Sequence, residues 1–480
     1  MNRILNKLRQ REAFNKENKI SYIKAVAMMA IFTFVFLGAE YLYVNMISFS
    51  VSGNKAVMAQ NYVLGISAFG FLLYPVFCRF CKDKIYAVCN IFITAASVLC
   101  IFFICRHLSY HITFAFGLFL FLFLGIFGSA VFYKSMCLIE NDKYLARLVG
   151  ISYMIGILLQ FVNNNIICSE IIEAVILSAF LIGLVCLLTK SKPMSENASA
   201  STGDEEVSEN FKESSKSTTL GLLLILLVVL MTCIFSTLDN AVTLSHADGT
   251  MDIGQWPRIF LAFSGLIAGF VFDINNRKFM NHIMYCVMLL STICIAVFEF
   301  SGPFLTGLII FYMSAGFFAV FFTTAFMELA RYTKMPELWA GFGRAVNNIT
   351  AAVITGGSLT LLSSGNSIAI ITIMLILFAA VSIVIAIYTY KHKVFTEQIL
   401  TNDILAIDDN ERLQMFSEEF SLTSRETEVF ALLVNTEDSI QAIAESLYVS
   451  RRTLERHISA IYEKTGVKSR VGLIRLYNEK

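Results

Sequence analysis

Charged residues and proline are both scarce in this chain of 480 residues. Only 15% of the residues are Asp, Glu, Lys or Arg, whereas soluble domains contain roughly 25%. There are 5 Pro but 43 Phe, a composition typical of long apolar helices. These proportions exclude a loop-rich soluble fold for most of the chain. The formal net charge is +1, so any attraction to nucleic acid must depend on a local cluster of charge.

The sequence also lacks the usual signatures of an enzyme. It contains no paired carboxylates at a plausible site, no Gly-rich phosphate loop, no histidine metal cluster and no receiver-like α/β pattern. The 11 Cys are odd in number and follow no framework, which argues against structural disulfides. Cys78 and Cys81 form a lone C-x-x-C without a second ligand pair, which favours buried thiols over a metal or redox site. We therefore predict no catalysis, no metal and no cofactor.

Long apolar runs, by contrast, are abundant. A helix that crosses a bilayer needs about 20 mainly apolar residues, and the chain contains twelve such runs. They are residues 23–48, 58–78, 85–105, 111–133, 146–163 and 168–189, then 218–238, 256–274, 280–299, 304–329, 340–362 and 367–389. The sequence therefore predicts an all-α fold with a polytopic membrane bundle of two sets of six helices.

Lys and Arg are unevenly distributed between the predicted loops. Loops that are rich in Lys and Arg face the cytoplasm. With the N-terminus inside, the inner loops contain Arg79, Lys82, Lys84, Lys134, Lys143, Arg147, Lys190, Lys192, Arg277, Lys278, Arg331, Lys334 and Arg344. The outer loops contain few, among them Lys55, Arg106 and Arg258. We therefore predict a multi-pass protein of the inner (cytoplasmic) membrane with both termini in the cytoplasm.

Changes in composition divide the chain into six segments. These are the basic N-terminus 1–22, the first membrane half 23–189, a polar loop 190–217, the second half 218–389, a linker 390–415 and a soluble domain 416–480. The polar loop has too little apolar surface to fold, so we predict that it is disordered. The linker is predicted to be partly helical.

The soluble domain has clear helix boundaries. Thr423 and Glu426 have the spacing of a capping box, which begins a helix. Ser439 and Ser450 are suited to begin the next two helices, and Tyr448 lies in the tight turn between them. A last helix covers residues 469–477. Two helices joined by so short a turn predict a helix-turn-helix.

Charge is also unevenly distributed within this domain. Residues 417–450 contain one Arg and seven Asp or Glu, whereas residues 451–480 contain eight Lys or Arg and three Glu. The basic part includes the second helix of the predicted helix-turn-helix. A basic stripe on one element is typical of a surface that binds phosphates, although a solvated helix of mixed charge is the alternative.

Four short motifs carry a family resemblance. They are L-T-S-R-E-T-E-V at 422–429, I-A-E-S-L-Y-V-S at 443–450, T-L-E-R-H-I at 453–458 and I-Y-E-K-T-G-V at 461–467, followed by Arg470. These motifs resemble the LuxR-type DNA-binding domain of bacterial regulators. The sequence departs from the family at Asn435, where Gly is usual, but Asn tolerates a positive φ.

The resemblance implies that the helix from Arg451 to Thr465 enters the major groove of duplex DNA. Glu455, Arg456 and Ser459 occupy positions where the family reads bases, although the position of Glu455 is often basic in the family. The predicted phosphate contacts are Arg451, Arg452, Thr453, Lys464, Lys468 and Arg470. The last helix is the family's dimerisation element, so the resemblance also implies a homodimer on DNA.

Polar residues inside the membrane helices indicate a second candidate site. Such residues are costly in hydrocarbon and often functional. The predicted ligand-binding residues, all on the outward side, are Glu40, Tyr43, Gln160, Asn240 and Arg258. Most of them could also be interfacial residues at helix ends. Glu40 lies deeper, which favours a functional or partnered role, and Arg258 is a possible partner.

Two sets of six helices with a long central loop resemble the Major Facilitator Superfamily. Gly269 and Asp273, followed by Arg277-Lys278, fit the G-x-x-x-D…R-K motif of that family, whereas the equivalent loop of the first half has Tyr74 and Cys78 in place of the Gly and Asp. The complete arrangement resembles membrane-bound one-component regulators. This resemblance implies that the membrane part senses an unknown small-molecule ligand and that the C-terminal domain binds promoter DNA. A small-molecule transporter with a fused DNA-binding reporter domain is the alternative.

Overall fold

The structure is a computed structural model, and the part of the chain that it describes is helical without any strand. It describes the backbone of all residues except 1, 81–82, 140–141, 168, 190–205, 248–255, 300–303, 437 and 480. The side chains of 2–18, 83–84, 142, 206–216, 294–299, 304, 399–411 and 478–479 are also not described. Cys81, Lys82, Lys190 and Lys192 of the sequence analysis therefore lie outside the described residues.

The first twelve helices form the membrane part. They are α1 Asn2–Ser48, α2 Gly53–Phe80, α3 Asp83–Ile104, α4 Tyr110–Cys137, α5 Leu145–Ile166, α6 Glu170–Thr189, α7 Glu206–Ala247, α8 Arg258–Phe272, α9 Met280–Glu299, α10 Phe304–Ala330, α11 Pro336–Ser363 and α12 Ser367–Glu419. Among the described residues, ten helices have the length and composition to cross a membrane, while the apolar helices Arg258–Phe272 and Met280–Ile293 are shorter. The predicted all-α fold with two sets of six helices is confirmed.

Helices extend through two segments that we expected to be polar chain and through the linker that we expected to be partly helical. Helix α1 begins at Asn2 inside the predicted N-terminal segment, and α7 begins at Glu206 inside the predicted loop. Helix α12 continues to Glu419 across the predicted linker. None of these extensions contains Pro or Gly, so a helix that the apolar span nucleates can continue through them. The prediction of disorder is therefore wrong for residues 206–217, and residues 190–205 lie outside the described part.

The two six-helix halves meet where small residues let helix backbones approach closely. Helix α5 packs on α8, and α2 packs on α11. A Cβ atom added to Gly150 of α5 would lie 2.6 Å from the carbonyl oxygen of Gly265 and 2.8 Å from the Cα of Gly269, both in α8. Close contact of this kind supplies the van der Waals packing that holds membrane helices together.

A carboxylate of the second half caps a helix of the first half. Asp273 follows α8, and its two oxygens accept hydrogen bonds from the backbone N–H groups of Ala146 (3.1 Å) and Arg147 (2.9 Å). These are the second and third amides of α5, and Tyr144, which precedes the helix, makes no side-chain cap. Arg277 lies 3.6 Å from Asp273 and also binds Glu328 at 3.1 Å. The G-x-x-x-D…R-K motif thus holds the two halves together, because the Asp273 carboxylate binds the positive end of the α5 dipole.

The last part of the chain, residues 392–480, forms a second compact unit. It contains α13 Ser424–Asn435, α14 Ile440–Ser446, α15 Arg451–Thr465 and α16 Arg470–Glu479, together with the end of α12. Its core comprises Phe416, Val429, Phe430, Leu433, Ile443, Ala444, Leu454, Ile458, Ile461, Leu473 and Tyr477. The rings of Phe416 and Phe430 stack with centroids 4.6 Å apart. A separate core of this kind allows the unit to fold by itself.

Replacing Gly150 by Ala should lower the midpoint of thermal unfolding of the purified full-length protein. The added Cβ meets backbone atoms of α8, and overpacking of this kind costs about 1–3 kcal/mol. The control is Gly183→Ala in α6, where a Cβ meets nothing within 4 Å. Since Ala favours a helix over Gly by about 0.5–1 kcal/mol, the control should hold or raise the midpoint. Equal midpoints for both variants would contradict this account of the α5–α8 contact.

Candidate functional site

The helix-turn-helix consists of α14 and α15, and side chains cap both helices. The Ser439 hydroxyl accepts from the backbone N–H of Ala442 at 3.2 Å, and that of Ser450 accepts from Thr453 at 3.1 Å. Both predicted helix starts are confirmed, as is the capping box of α13. Tyr448, in the turn, has a left-handed backbone with φ 54°. Asn435 has no positive φ: α13 ends there, and the next residue, Thr436, is extended.

One face of α15 is buried and the opposite face is exposed. Leu454, Ile458 and Ile461 belong to the core of the unit. Arg452 and Arg456 lie on the exposed face, and within the described residues no hydrogen bond or ion pair reaches either guanidinium. Burial of the apolar stripe therefore fixes the helix and leaves these two cations available to an external partner.

Two other residues of the predicted base-reading set bind within α15. The Arg451 Nε lies 2.9 Å from a carboxylate oxygen of Glu455, one turn along the helix. The Ser459 hydroxyl donates to the backbone carbonyl of Glu455 at 2.9 Å. All three are exposed, as are Thr453 and Lys468. Glu455 therefore offsets the charge of Arg451, and the uncompensated positive charge on this face comes from Arg452 and Arg456.

Lys464 and Arg470, both predicted to contact phosphates, bind other parts of the domain. The Lys464 ammonium lies 2.6 Å from a carboxylate oxygen of Glu426 and donates to the carbonyl of Ser421 at 2.9 Å. The Arg470 guanidinium donates to the carbonyls of Leu433 (2.8 Å), Asp438 and Thr436. The Lys464 bond, with the capping bonds of Thr423, holds the pKa of Glu426 down to about 2. These cations join α15 and α16 to α13.

The membrane part contains a cavity of about 190 Å³ between the two halves. Helices α1, α2 and α5 contribute from the first half, and α7, α8, α10 and α11 from the second. The polar and ionisable lining residues are Glu40, Gln60, Asn61, Tyr153, Thr232, Ser236, Asp239, Thr243, Arg258, Tyr312, Arg344, Asn347 and Asn348. The cavity is thus far more polar than its hydrocarbon surroundings.

Only two of the five predicted ligand residues, Glu40 and Arg258, line this cavity. The structure forms no ion pair between these two, because Glu40 instead accepts from the Gln60 amide at 2.6 Å. Tyr43 is buried against Gly117 and Phe121 of α4. Since a side chain can leave any side of a helix, position along the span did not reveal which residues face the cavity.

The two remaining predicted residues bind neighbouring helices rather than lining the cavity. Gln160 donates to the carbonyl of Leu37 at 2.7 Å. Asn240 accepts from Asn61 at 2.9 Å and donates to Ser358 at 2.6 Å, which joins α2, α7 and α11. These amides hold helices together, and the prediction that they bind a ligand is not supported by their placement.

Arg344 is the main lining residue that the sequence analysis misplaced. We counted it among the inner-loop cations, but it lies in the third turn of α11 and faces the cavity. The stripe Arg344, Asn347, Asn348 and Ala351 has helical spacing, and this pattern within an apolar span was the available signal. Asp239 of α7 also lines the cavity and was not among the predicted ligand residues.

Acid should weaken the unit of residues 392–480 through Glu426. Its pKa is about 2 in the folded state and ordinarily 4.5, so its stabilising effect is complete above pH 4.5 and is lost as the pH falls towards 2. We expect the midpoint of thermal unfolding of this fragment to fall over that pH range. The Glu426→Gln fragment should be less stable at neutral pH, and its midpoint should depend less on pH. Glu463→Gln, which removes an exposed carboxylate from α15, is the control. If the midpoint of Glu426→Gln depends on pH as that of the wild type does, Glu426 is not the group responsible.

Comparisons with known proteins give separate matches for the C-terminal domain and for the membrane part. Residues 420–477 match the family "Bacterial regulatory proteins, luxR family". The spore germination protein GerE of Bacillus subtilis (strain 168) is 47% identical over 49 residues, which are 10% of this chain. The chain spans 65% of the length of that protein.

The membrane part is similar to solved transporter structures. The E. coli fucose:proton symporter FucP matches with a TM-score of 0.54 and 10% identity, over 78% of this chain and 99% of that one. An auto-inhibited POT family peptide transporter matches with a TM-score of 0.52 and 10% identity, over 78% and 96%. Identities this low show the fold alone. The chain thus ends in a LuxR-type helix-turn-helix domain, and its membrane part has the fold of Major Facilitator Superfamily transporters.

Proposed function

We propose that this protein is a membrane-bound one-component transcriptional regulator. In this proposal the membrane part binds a small molecule, and the C-terminal domain binds promoter DNA as a homodimer. One observation carries the proposal: a single chain joins a LuxR-type domain to a membrane part that has a charged cavity. Both termini are then cytoplasmic, and the protein lies in the inner membrane, where the chromosome is within reach.

The proposed DNA contacts are exposed residues of the first turns of α15, together with Lys468 in the connection between α15 and α16. Arg456 is placed to read guanine, since a guanidinium can bind its O6 and N7 together. Arg452, Arg451, Thr453 and Lys468 are placed to contact phosphates. Lys464 and Arg470 act within the domain instead, because their donors already bind Glu426 and the backbone around α13. This removes two of the six phosphate contacts that the sequence predicted.

The proposed sensing step is a shift between two arrangements of the six-helix halves. The contacts between the halves include the Asp273 cap of α5 and the Asn61–Asn240 bond, and each can be made or broken as a unit. A ligand changes this equilibrium only by binding one arrangement more tightly than the other. A change from one per cent to ninety-nine per cent active requires a difference of about 5.5 kcal/mol.

Replacing Arg456 or Arg452 by Ala should affect DNA binding in different ways. With DNA selected from a random library by fragment 392–480, Arg456→Ala should cost about 1–3 kcal/mol on the preferred sequence and relax the preference at one position. Arg452→Ala should weaken all sequences similarly and reduce the slope of log K against log salt by about 1. Fluorescence anisotropy at several salt concentrations measures both effects.

The control for these variants is Lys393→Ala, which removes one positive charge from α12, outside the helix-turn-helix. It should change neither the preference nor the salt slope. If Arg452→Ala and Arg456→Ala both bind like the wild type, then α15 does not enter the groove as proposed.

Transport is the second candidate function, and the fold of the membrane part favours it. Solved neighbours with this fold include a fucose:proton symporter and a peptide transporter. We expect no saturable, counterflow-capable uptake into vesicles that contain the full-length protein. If a compound that changes transcription is also taken up in this way, the protein is a transporter whose DNA-binding domain reports its occupancy, and not a receptor.

A further inference from the structure

Four ionisable side chains face one cavity without direct contact between opposite charges. Glu40 and Asp239 are acidic, and Arg258 and Arg344 are basic. Within the described part of the chain, no ion pair joins any acid of this set to either guanidinium. Charges within a membrane bundle normally pair with one another or with backbone groups, because an isolated charge is costly there. The two guanidiniums and the Asp239 carboxylate therefore have no direct partner of opposite charge within the cavity.

Pairing elsewhere in the same bundle shows how unusual these two guanidiniums are. Arg79 binds Glu337 at 3.0 Å, Arg277 binds Glu328 at 3.1 Å, and Arg331 donates to the carbonyl of Ile139 at 3.0 Å. In contrast, no hydrogen bond or ion pair within the described residues reaches the guanidinium of Arg258 or Arg344, and the Nε atom of each is buried. A guanidinium that lines a cavity and has no acceptor from the protein is suited to an external acceptor.

The guanidinium of Arg344 is held in place by aromatic rings from both halves. Its carbon lies 5.8 Å from the ring centre of Phe36 in α1 and 5.3 Å from that of Phe322 in α10. Contact with two ring faces positions the planar group without using its N–H donors. A guanidinium fork that is positioned in this way suits the two oxygens of a carboxylate.

Acceptors of hydrogen bonds lie in the same cavity. Glu40 uses one oxygen to accept from Gln60, and the Gln60 carbonyl oxygen is itself buried without a donor from the protein. The Asp239 carboxylate also lines the cavity, and no hydrogen-bond donor from the described residues reaches it. These oxygens require a donor such as a hydroxyl or an ammonium group.

The remaining lining limits the size of the ligand. A volume of about 190 Å³ is smaller than the roughly 300–1,000 Å³ of sites for drug-sized molecules. Much of the wall that α10 contributes is aromatic, and the ring of its Phe318 stacks on Phe235 of α7 with centroids 4.5 Å apart. This wall suits the carbon skeleton of a small molecule.

We propose that the cavity binds a small organic acid, with its carboxylate on Arg344 and Arg258 and a hydroxyl or ammonium donor on Asp239, Glu40 and Gln60. The assignment rests on the proposed sensing function, and it adds the chemical class of the signal. Neutral sugars and hydrophobic compounds offer the two guanidiniums no anionic acceptor, and simple cations offer them no acceptor at all.

The test uses the full-length protein in detergent and a panel of hydroxy and amino carboxylic acids, each beside its uncharged amide. At least one acid should raise the midpoint of thermal unfolding, and its amide should not. Arg344→Gln should weaken the binding of that acid by about 10- to 100-fold, since a charge-assisted hydrogen bond is lost. Arg106→Gln, an exposed guanidinium outside the cavity, should bind the acid like the wild type.

Several results would overturn the assignment. They are equal stabilisation by acids and amides, a panel in which no acid stabilises the protein, and unchanged acid binding by Arg344→Gln. If Arg344→Gln unfolds, Arg258→Gln tests the same loss of affinity.

A reporter gene behind the selected DNA distinguishes failure of the ligand class from failure of sensing. An acid that binds through Arg344 but leaves the reporter unchanged supports the ligand class and contradicts sensing. A reporter that responds only to uncharged compounds contradicts the ligand class and supports sensing.

Discussion

The hydrocarbon interior of a bilayer offers no hydrogen-bond partner, and most of this structure follows from that constraint. Backbone groups must be satisfied within each segment, so the membrane part is built of helices. With no water to drive apolar association, the halves are held by close contact and by polar bonds. Gly150 lets α5 approach the backbone of α8, and Asp273 caps α5 from the other half. The capped helix end and the small-residue contact belong to the same pair of helices, so packing and electrostatics act on one interface.

The same constraint separates structural charges from the candidate ligand site. Arg277 and Arg79 have carboxylate partners that compensate the cost of their charge. Arg344 and Arg258 lie within the bundle without such partners, so other contacts of the fold must offset the cost of desolvating them. A charge that is retained at this cost is most simply explained by a ligand that neutralises it. The contrast between compensated and uncompensated guanidiniums therefore identifies the site more specifically than its position in a known fold does.

The C-terminal domain divides its cations in a similar way. Lys464 and Arg470 bind Glu426 and carbonyls around α13, and they hold the helices in a fixed arrangement. Arg452 and Arg456 remain exposed on α15, where the buried stripe of that helix sets their direction. Some cations of the basic half thus hold the helices of the domain together, and the others form the proposed surface for DNA. Counting positive charge along the sequence could not separate the two groups.

The sequence by itself determined the helical fold, the two sets of six helices and the helix-turn-helix with its capping residues. Apolar periodicity and capping are local, so they can be seen in a linear chain. Only the tertiary structure decided which polar residues share a cavity, because Glu40, Asp239 and Arg344 come from α1, α7 and α11. It also decided that Tyr43, Gln160 and Asn240 face other helices. A helix presents side chains on every side, and only packing selects the face that meets the cavity.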